Sequence, residues 1–154
     1  MKHLVLSFFL FVSLISSGQD FQRKRDPIYQ TEYEIELIKP QSSVSISRYK
    51  SPTETEYSLI IKTQNSQCPK ESGVVVVLLN GEQISFSNHL VRCDALSNST
   101  FQLFGSFILS PALYQKLSEQ GVAYFMLGEI KIPAQYKEVG ESLPQLLKDV
   151  AQQK

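Results

Sequence analysis

The side chains with the greatest chemical potential in this sequence are two cysteines, Cys68 and Cys93, and two histidines, His3 and His89. A nucleophilic site of the Ser-His-Asp or Cys-His kind would have to use His89, because His3 lies in a segment typical of a signal peptide. No G-x-S-x-G turn accompanies it, since Ser106 lies within a strand-like stretch. We therefore interpret His89 as an exposed or locally bonded imidazole.

Carboxylate pairs for hydrolysis can assemble in space from distant positions, so sequence spacing alone does not exclude them. A small hydrolase is thus an alternative function, using Glu129 with Glu82 or His89 with Asp94. Three further carboxylates alternate along one stretch: Glu32, Glu34 and Glu36. Like charges at this spacing are typical of a solvated strand face, or of an edge protected against aggregation.

Metal and cofactor motifs do not occur in the sequence. Zinc sites need three or four closely spaced ligands, and calcium loops need a run of Asp and Asn closed by Glu. Neither pattern is present, and the glycines form no phosphate loop and no dinucleotide fingerprint. We predict no catalytic, cofactor-binding or metal-binding residues, and we favour a protein that is not an enzyme.

Asn80-Gly81 separates two strand-like runs and is the strongest short signal for a β-hairpin. A two-residue loop at this turn pairs Leu79 with Glu82. In that register apolar residues face each other: Val77 opposite Ile84, and Val75 opposite Phe86.

The same register, continued outward, places Cys68 opposite Cys93. Pro69 cannot donate to a ladder, but the two legs of the hairpin still bring both cysteines into one region. We predict a Cys68–Cys93 disulfide, which would close a loop of about 25 residues and stabilise the fold by about 3 kcal/mol. Two buried free thiols are the alternative.

Tyrosines offer a candidate platform for a peptide or glycan, although core packing is the commoner use of such side chains. The candidates are Tyr49, Tyr57, Tyr114, Tyr124 and Tyr136, and the chain has no Trp. Asn98-Ser99-Thr100 is a formal glycosylation triplet in a polar stretch, 94–99, that we interpret as a loop.

The N-terminus has the three parts of a Sec-type signal peptide. A short basic start precedes an apolar run over 4–15, and Ser16-Ser17-Gly18 supplies small residues at a cleavage site. The run is shorter than the ~20 apolar residues of a membrane span. We predict a signal peptide over 1–18, a flexible segment over 19–31 and one β-rich domain over 32–154, secreted or periplasmic.

The chain has 154 residues, with 15 basic and 15 acidic side chains. A near-neutral protein has no large positive field to gather phosphates, so we expect no nucleic-acid partner. We also expect no integral membrane segment once the signal is cleaved, and the oligomeric state stays open.

Apolar residues recur at every second position along most of the chain, which predicts strands. Helix signals occur twice: Ser110-Pro111 opens a helix near 111–120, and an apolar stripe follows Ser142 in a helix near 142–152. That stripe could bind a membrane or a partner, but we expect it to pack on its own sheet. Gly105 indicates a bulge, a bend or a close approach. The fold class is α+β, with a predominantly antiparallel sheet of about eight strands in two layers.

The layout of the chain resembles that of small secreted or periplasmic β-rich proteins of Bacteroidetes type, which are themselves uncharacterised. The resemblance lies in the Ser16-Ser17-Gly18-Gln19 junction and in the order of elements in the second half, from the valine-rich hairpin to the terminal helix. It implies export and carries no catalytic residues to transfer.

The sequence therefore favours an exported, non-catalytic domain that binds an envelope protein, peptide or glycan. A sheet edge could add a strand of such a partner. Besides the hydrolase, a carrier of apolar ligands is an alternative, and it would need a cavity between sheet and helix.

Overall fold

The alternating apolar residues form strands, and the computed structural model describes these elements within residues 29–86 and 89–152. Residues 1–28 lie outside this range, and with them the predicted signal peptide. The described strands are β1 (Tyr29–Glu36), β2 (Ser43–Lys50), β3 (Thr55–Asn65), β4 (Val74–Leu78), β5 (Gln83–Phe86), β6 (Arg92–Ser97), β7 (Thr100–Ile108), β8 (Val122–Leu127) and β9 (Ile130–Pro133). The helices are α1 (Pro111–Glu119) and α2 (Leu143–Gln152).

The strands form two antiparallel sheets, which confirms the predicted fold class. One has the order β1-β2-β3-β7-β6 and the other the order β5-β4-β8-β9. A core of buried residues is continuous across both sheets and both helices. Among its fully buried members are Ile46, Leu59, Phe125 and Leu147.

Gly105 lies where the two sheets approach each other. Its register with β3 is regular, so the residue marks no bulge. A Cβ at this position would overlap Leu127 Cδ2 and would lie 2.8 Å from Val74 Cγ2, both from the four-stranded sheet. Of the three predicted roles, close approach is therefore the one that the packing requires.

Both helices begin at the predicted caps. Ser110 Oγ accepts from the Leu113 N–H at 3.3 Å, with Pro111 in the first turn. Ser142 Oγ accepts from the Gln145 N–H at 3.2 Å. The apolar stripe of α2 is buried within the protein's own core, as expected: Leu143, Leu146, Leu147 and Val150.

The β4–β5 hairpin has a register one residue away from the predicted one. Val76, not Val77, pairs with Ile84, and Val74 pairs with Phe86. The loop has three residues, because the Leu78 N–H donates to Glu82 O at 2.9 Å and Gly81 alone takes a positive φ, 85°. The predicted two-residue turn needs positive φ at both central positions, which Asn80 does not adopt.

The predicted polar loop over 94–99 is wrong, because most of it belongs to the edge strand β6. Nearly all residues of β6 are exposed, so the strand has no apolar alternation by which to recognise it. Only Asn98 and Ser99 form the turn to β7, which places the glycosylation triplet at an exposed hairpin end. At the other edge, β1 begins at Tyr29, three residues before the predicted start of the domain.

Candidate functional site

The candidate site is the outer edge of β1, where the chain already pairs with itself. Within the described residues β1 has one neighbouring strand, β2. Past its end, Leu37 forms an isolated antiparallel bridge with Tyr136. Two backbone hydrogen bonds flank the bridge, from the Ile38 N–H to Gln135 O at 2.8 Å and from the Lys137 N–H to Glu36 O at 3.0 Å. Residues 135–137 thus act as a short added strand.

Further along β1, other backbone groups also point away from β2. The Leu37 N–H donates to Ser42 O, toward β2, whereas Glu36 O and the Ile38 N–H face the opposite way. Because successive residues of a strand alternate in direction, the N–H and C=O groups of Glu32 and Glu34 also face away from β2. No described strand pairs with them there.

The glutamates of β1 are held in a fixed row above β2. Ser45 Oγ donates to Glu32 Oε1 at 2.9 Å, and Ser43 Oγ donates to Glu34 Oε1. Lys62, on β3, reaches across β2 to the same oxygens, at 3.2 Å from Glu32 and 3.5 Å from Glu34. Short serine side chains on β2 leave room for this bridge, and it covers them, since Ser45 is fully buried.

The charges of this row stabilise one another. The Ser45 hydrogen bond, with the nearby Lys62 ammonium, lowers the pKa of Glu32. Burial opposes the charge on Lys62, but the two carboxylates outweigh it and raise the pKa of this side chain. At the end of the row, the hydrogen bond from Lys137 to Glu36 raises the pKa of Lys137. The lowered pKa favours the charged form of Glu32, whose carboxylate lies on this edge.

An open groove of about 740 Å³ runs beside this end of β1. Glu34, Glu36 and Lys137 supply its charged walls, and Ser42 and Ser43 lie in its lining. Ile38 contributes an apolar surface and is 59% exposed. The groove therefore offers both charged and apolar surface to a ligand.

The predicted disulfide joins Cys68 to Cys93, with 5.9 Å between their Cα atoms. The hairpin does not bring them together, because Cys93 lies on β6, in the other sheet from that hairpin. Both β3 and β6 pair with β7, so the loop that leaves β3 reaches β6 at their common end. The prediction is confirmed, but the reason given for it is wrong.

The structure does not bring Glu82 and Glu129 together. Glu82 lies at the turn of the β4–β5 hairpin and pairs with Lys116 at 2.6 Å. Glu129 lies beyond the opposite end of β4, next to the Leu127–Val74 pair. Its carboxylate accepts from the Lys70 N–H at 2.8 Å, and this bond lowers the pKa of Glu129. Glu129 thus holds the loop that carries Cys68.

His89 and Asp94 form no ion pair with each other. Asp94 Oδ2 accepts from Arg92 Nε at 2.8 Å, and the His89 ring makes an edge contact with Phe86.

Within residues 29–86 and 89–152 no group of three or more potential metal ligands occurs. The same part of the chain contains no helix long and apolar enough to cross a membrane.

The candidate tyrosines do not form one platform. Tyr57 and Tyr114 meet, with ring centroids 4.9 Å apart. Tyr124 lies under the Lys131 ammonium, and Tyr136 packs against the core, where burial raises its pKa to about 12. Phe107, Phe125 and Leu147 fill the interior that a carrier of apolar ligands would need for its cavity.

Sequence reasoning missed the roles of Lys62 and Lys137. Lys62 lies on the same face of the sheet as Ser43 and Ser45 of β2. This shared face follows from the pairing of β2 with β3, and the sequence alone did not predict that pairing. Lys137 lies in an irregular stretch without any motif.

Comparison with protein families, with curated proteins and with solved structures finds no match.

Proposed function

We propose that this protein is an exported, non-catalytic binding domain that adds an extended segment of an envelope protein to the β1 edge. The pairing of residues 135–137 with β1 carries the proposal, because the chain itself occupies part of this edge as a partner strand would. The backbone N–H and C=O groups of Glu32 and Glu34 continue the same edge, and no described strand pairs with them.

Lys137 indicates the side chains that suit this position. The Lys137 ammonium pairs with the carboxylate of Glu36, the residue directly opposite it across the edge. Glu34 and Glu32 follow at two-residue steps, and the contacts with Lys62, Ser43 and Ser45 use only their Oε1 atoms. The Oε2 atoms have no partner among the described residues. A partner strand with lysine or arginine at every second position would pair with them.

Export through a cleaved signal peptide over 1–18 is part of the proposal. The Cys68–Cys93 disulfide supports it, since disulfides persist in oxidising compartments. Expression of the full chain in a bacterium with an envelope, followed by mass spectrometry of the intact product, tests it. We expect a chain that starts at Gln19; a product that retains residues 1–18 contradicts this part.

A peptide titration tests the binding proposal. The probe is acetyl-KTKTKTK-amide, and the matched control is acetyl-TTTKKKK-amide, which has the same composition and charge in a different order. We expect amide shifts in a ¹H–¹⁵N spectrum at 32–36 with the alternating peptide, and weaker or scattered shifts with the block peptide. Equal amide shifts with both peptides would show that the interaction is unspecific charge attraction, which contradicts the proposal.

A glycan is the competing ligand class. Titration with acetylated chitooligosaccharides, under the same conditions, provides that comparison. Shifts along the groove with the oligosaccharide, and none with the alternating peptide, overturn the proposal. No response at 32–36 to the alternating peptide overturns it as well.

A further inference from the structure

A second candidate site lies at the opposite end of the five-stranded sheet from the β1–β2 turn. A cleft of about 410 Å³ opens between the start of β3, the end of β7 and the start of α1. Tyr57, Ile108, Pro111 and Tyr114 supply its apolar surface. No part of the proposed β1 site lines this cleft, so it needs an explanation of its own.

The aromatic wall of the cleft is held in position from behind. The Tyr57 and Tyr114 rings are tilted by 40° to each other in direct contact. Tyr114 Oη donates to Leu147 O of α2 at 2.6 Å, which fixes that ring. Ile108 pairs with Ser58, so its side chain borders the cleft from the other face of the sheet, where it is 56% exposed. The cleft thus offers a rigid apolar surface that a ligand can cover without rearrangement.

The rim of the cleft is acidic. Glu54 and Glu56 are exposed, and within residues 29–86 and 89–152 neither carboxylate has an ion-pair partner. The turn before β3 is ordered, because the Ser51 N–H donates to Glu54 O at 2.9 Å and Ser51 Oγ accepts from the Glu54 N–H at 3.1 Å. Both glutamates also border a smaller cavity that contains Tyr49. Aromatic side chains therefore lie on both sides of the two glutamates.

We propose that this cleft binds the side chain of an arginine or lysine from a partner polypeptide. The aliphatic stem would lie in the opening between Tyr57 and Ile108, which project from opposite faces of the sheet end, and the cationic head would pair with Glu54 and Glu56. A neutral apolar side chain would leave both carboxylates unpaired, and an anionic ligand would be repelled. The inference is independent of strand addition at β1, because it requires only one side chain.

The test uses single amino-acid probes, which cannot add as strands. Acetyl-arginine methylamide is titrated into the ¹⁵N-labelled protein, with acetyl-citrulline methylamide as the uncharged isostere, up to about 50 mM to reach millimolar dissociation constants. We expect shifts at Glu56, Tyr57, Ile108 and Tyr114 with the arginine probe only. Equal shifts with the citrulline probe, or no shifts at these residues, overturn the proposal.

Variants separate cleft binding from general charge attraction. Glu54→Gln combined with Glu56→Gln keeps side-chain volume, and should raise the dissociation constant for the arginine probe about twofold to thirtyfold, since two solvent-exposed ion pairs are lost. Glu71→Gln removes one exposed carboxylate far from the cleft and is the control for loss of charge elsewhere on the surface, for which we expect no change. Unchanged binding by the double variant, or an equal loss in Glu71→Gln, contradicts the assignment.

Discussion

Lys137 pairs with Glu36 twice, through its backbone and through its side chain. Its N–H donates to Glu36 O at 3.0 Å, and its ammonium contacts the Glu36 carboxylate. The two contacts together are what one residue of an added strand makes with its neighbour on a sheet edge. The proposed binding mode extends this observed contact toward Glu34 and Glu32.

Substitutions of Glu34 separate the backbone and charge contributions to binding of the alternating peptide. Glu34→Val retains the edge N–H but loses the carboxylate, and we expect a loss of about 1.5-fold to fivefold in affinity. Glu34→Pro loses the N–H as well, without removing a hydrogen bond to β2, and we expect binding to fall below detection. Equal affinity of the two variants, measured by calorimetry, would contradict pairing through the backbone.

Substitution of Gly105 tests the contact between the sheets. In Gly105→Ala the new Cβ would overlap Leu127 and Val74, so we expect a loss of about 1–3 kcal/mol in the free energy of unfolding in urea. The control is Ser106→Ala, because Ser106 is exposed on the other face of β7. If both variants unfold at the same urea concentration, the sheets do not meet at this residue.

Loss of the disulfide tests how strongly it stabilises the fold. The bond spans 25 positions of sequence and ties the loop after β3 to the edge strand β6. We expect the Cys68→Ser, Cys93→Ser double variant to lose about 2–4 kcal/mol relative to the oxidised protein. The measurement is chemical denaturation with and without reductant. Reductant should lower the free energy of unfolding of the parent protein and leave that of the double variant unchanged. If reductant does not change the stability of the parent protein, the disulfide contributes little.

The Lys62 bridge predicts a pH window of stability. The pKa of Glu32 is lowered from 4.5, so its contribution is present above that pH and is lost as the pH falls through the folded-state pKa. The pKa of Lys62 is raised from 10.5, so its contribution is present below that pH and is lost as the pH rises through the folded-state pKa. Stabilisation is therefore largest between these limits.

Lys62→Met keeps the aliphatic stem and removes the charge, which makes it the variant for this test. Near pH 7 we expect a loss of no more than about 1 kcal/mol, because both partners are partly exposed to solvent. The difference from the parent should shrink below pH 4. Lys148→Met, on the exposed face of α2, is the control. A difference that grows on acidification would contradict the assignment.

The parts of the fold that local patterns specify were predictable. The Leu143–Val150 stripe and the Ser110-Pro111 cap depend on neighbours within a few residues, and both are as expected. The hairpin register was not predictable, because Asn80-Gly81 permits two-residue and three-residue loops that differ by one position. Strand β6 was missed because both of its faces are largely exposed.

The candidate site depends on contacts between residues that are distant in sequence. Glu32, Glu34 and Glu36 were expected to form a solvated or protective row, and they do lie exposed on an edge strand. Their partners come from β3 and from the segment after β9, and only the arrangement of the sheet brings Lys62 and Lys137 to them. No local pattern in the sequence encodes that arrangement.

Hydrogen exchange at β1 tests strand addition most directly. In the free protein the amides of Glu32 and Glu34 face the open edge, whereas those of Tyr33 and Ile35 face β2, so we expect fast exchange at the first pair and slow exchange at the second. Saturation with acetyl-KTKTKTK-amide should slow exchange at Glu32 and Glu34 and leave Tyr33 and Ile35 unchanged. Fast exchange at both glutamate amides in the saturated complex would contradict the proposed function.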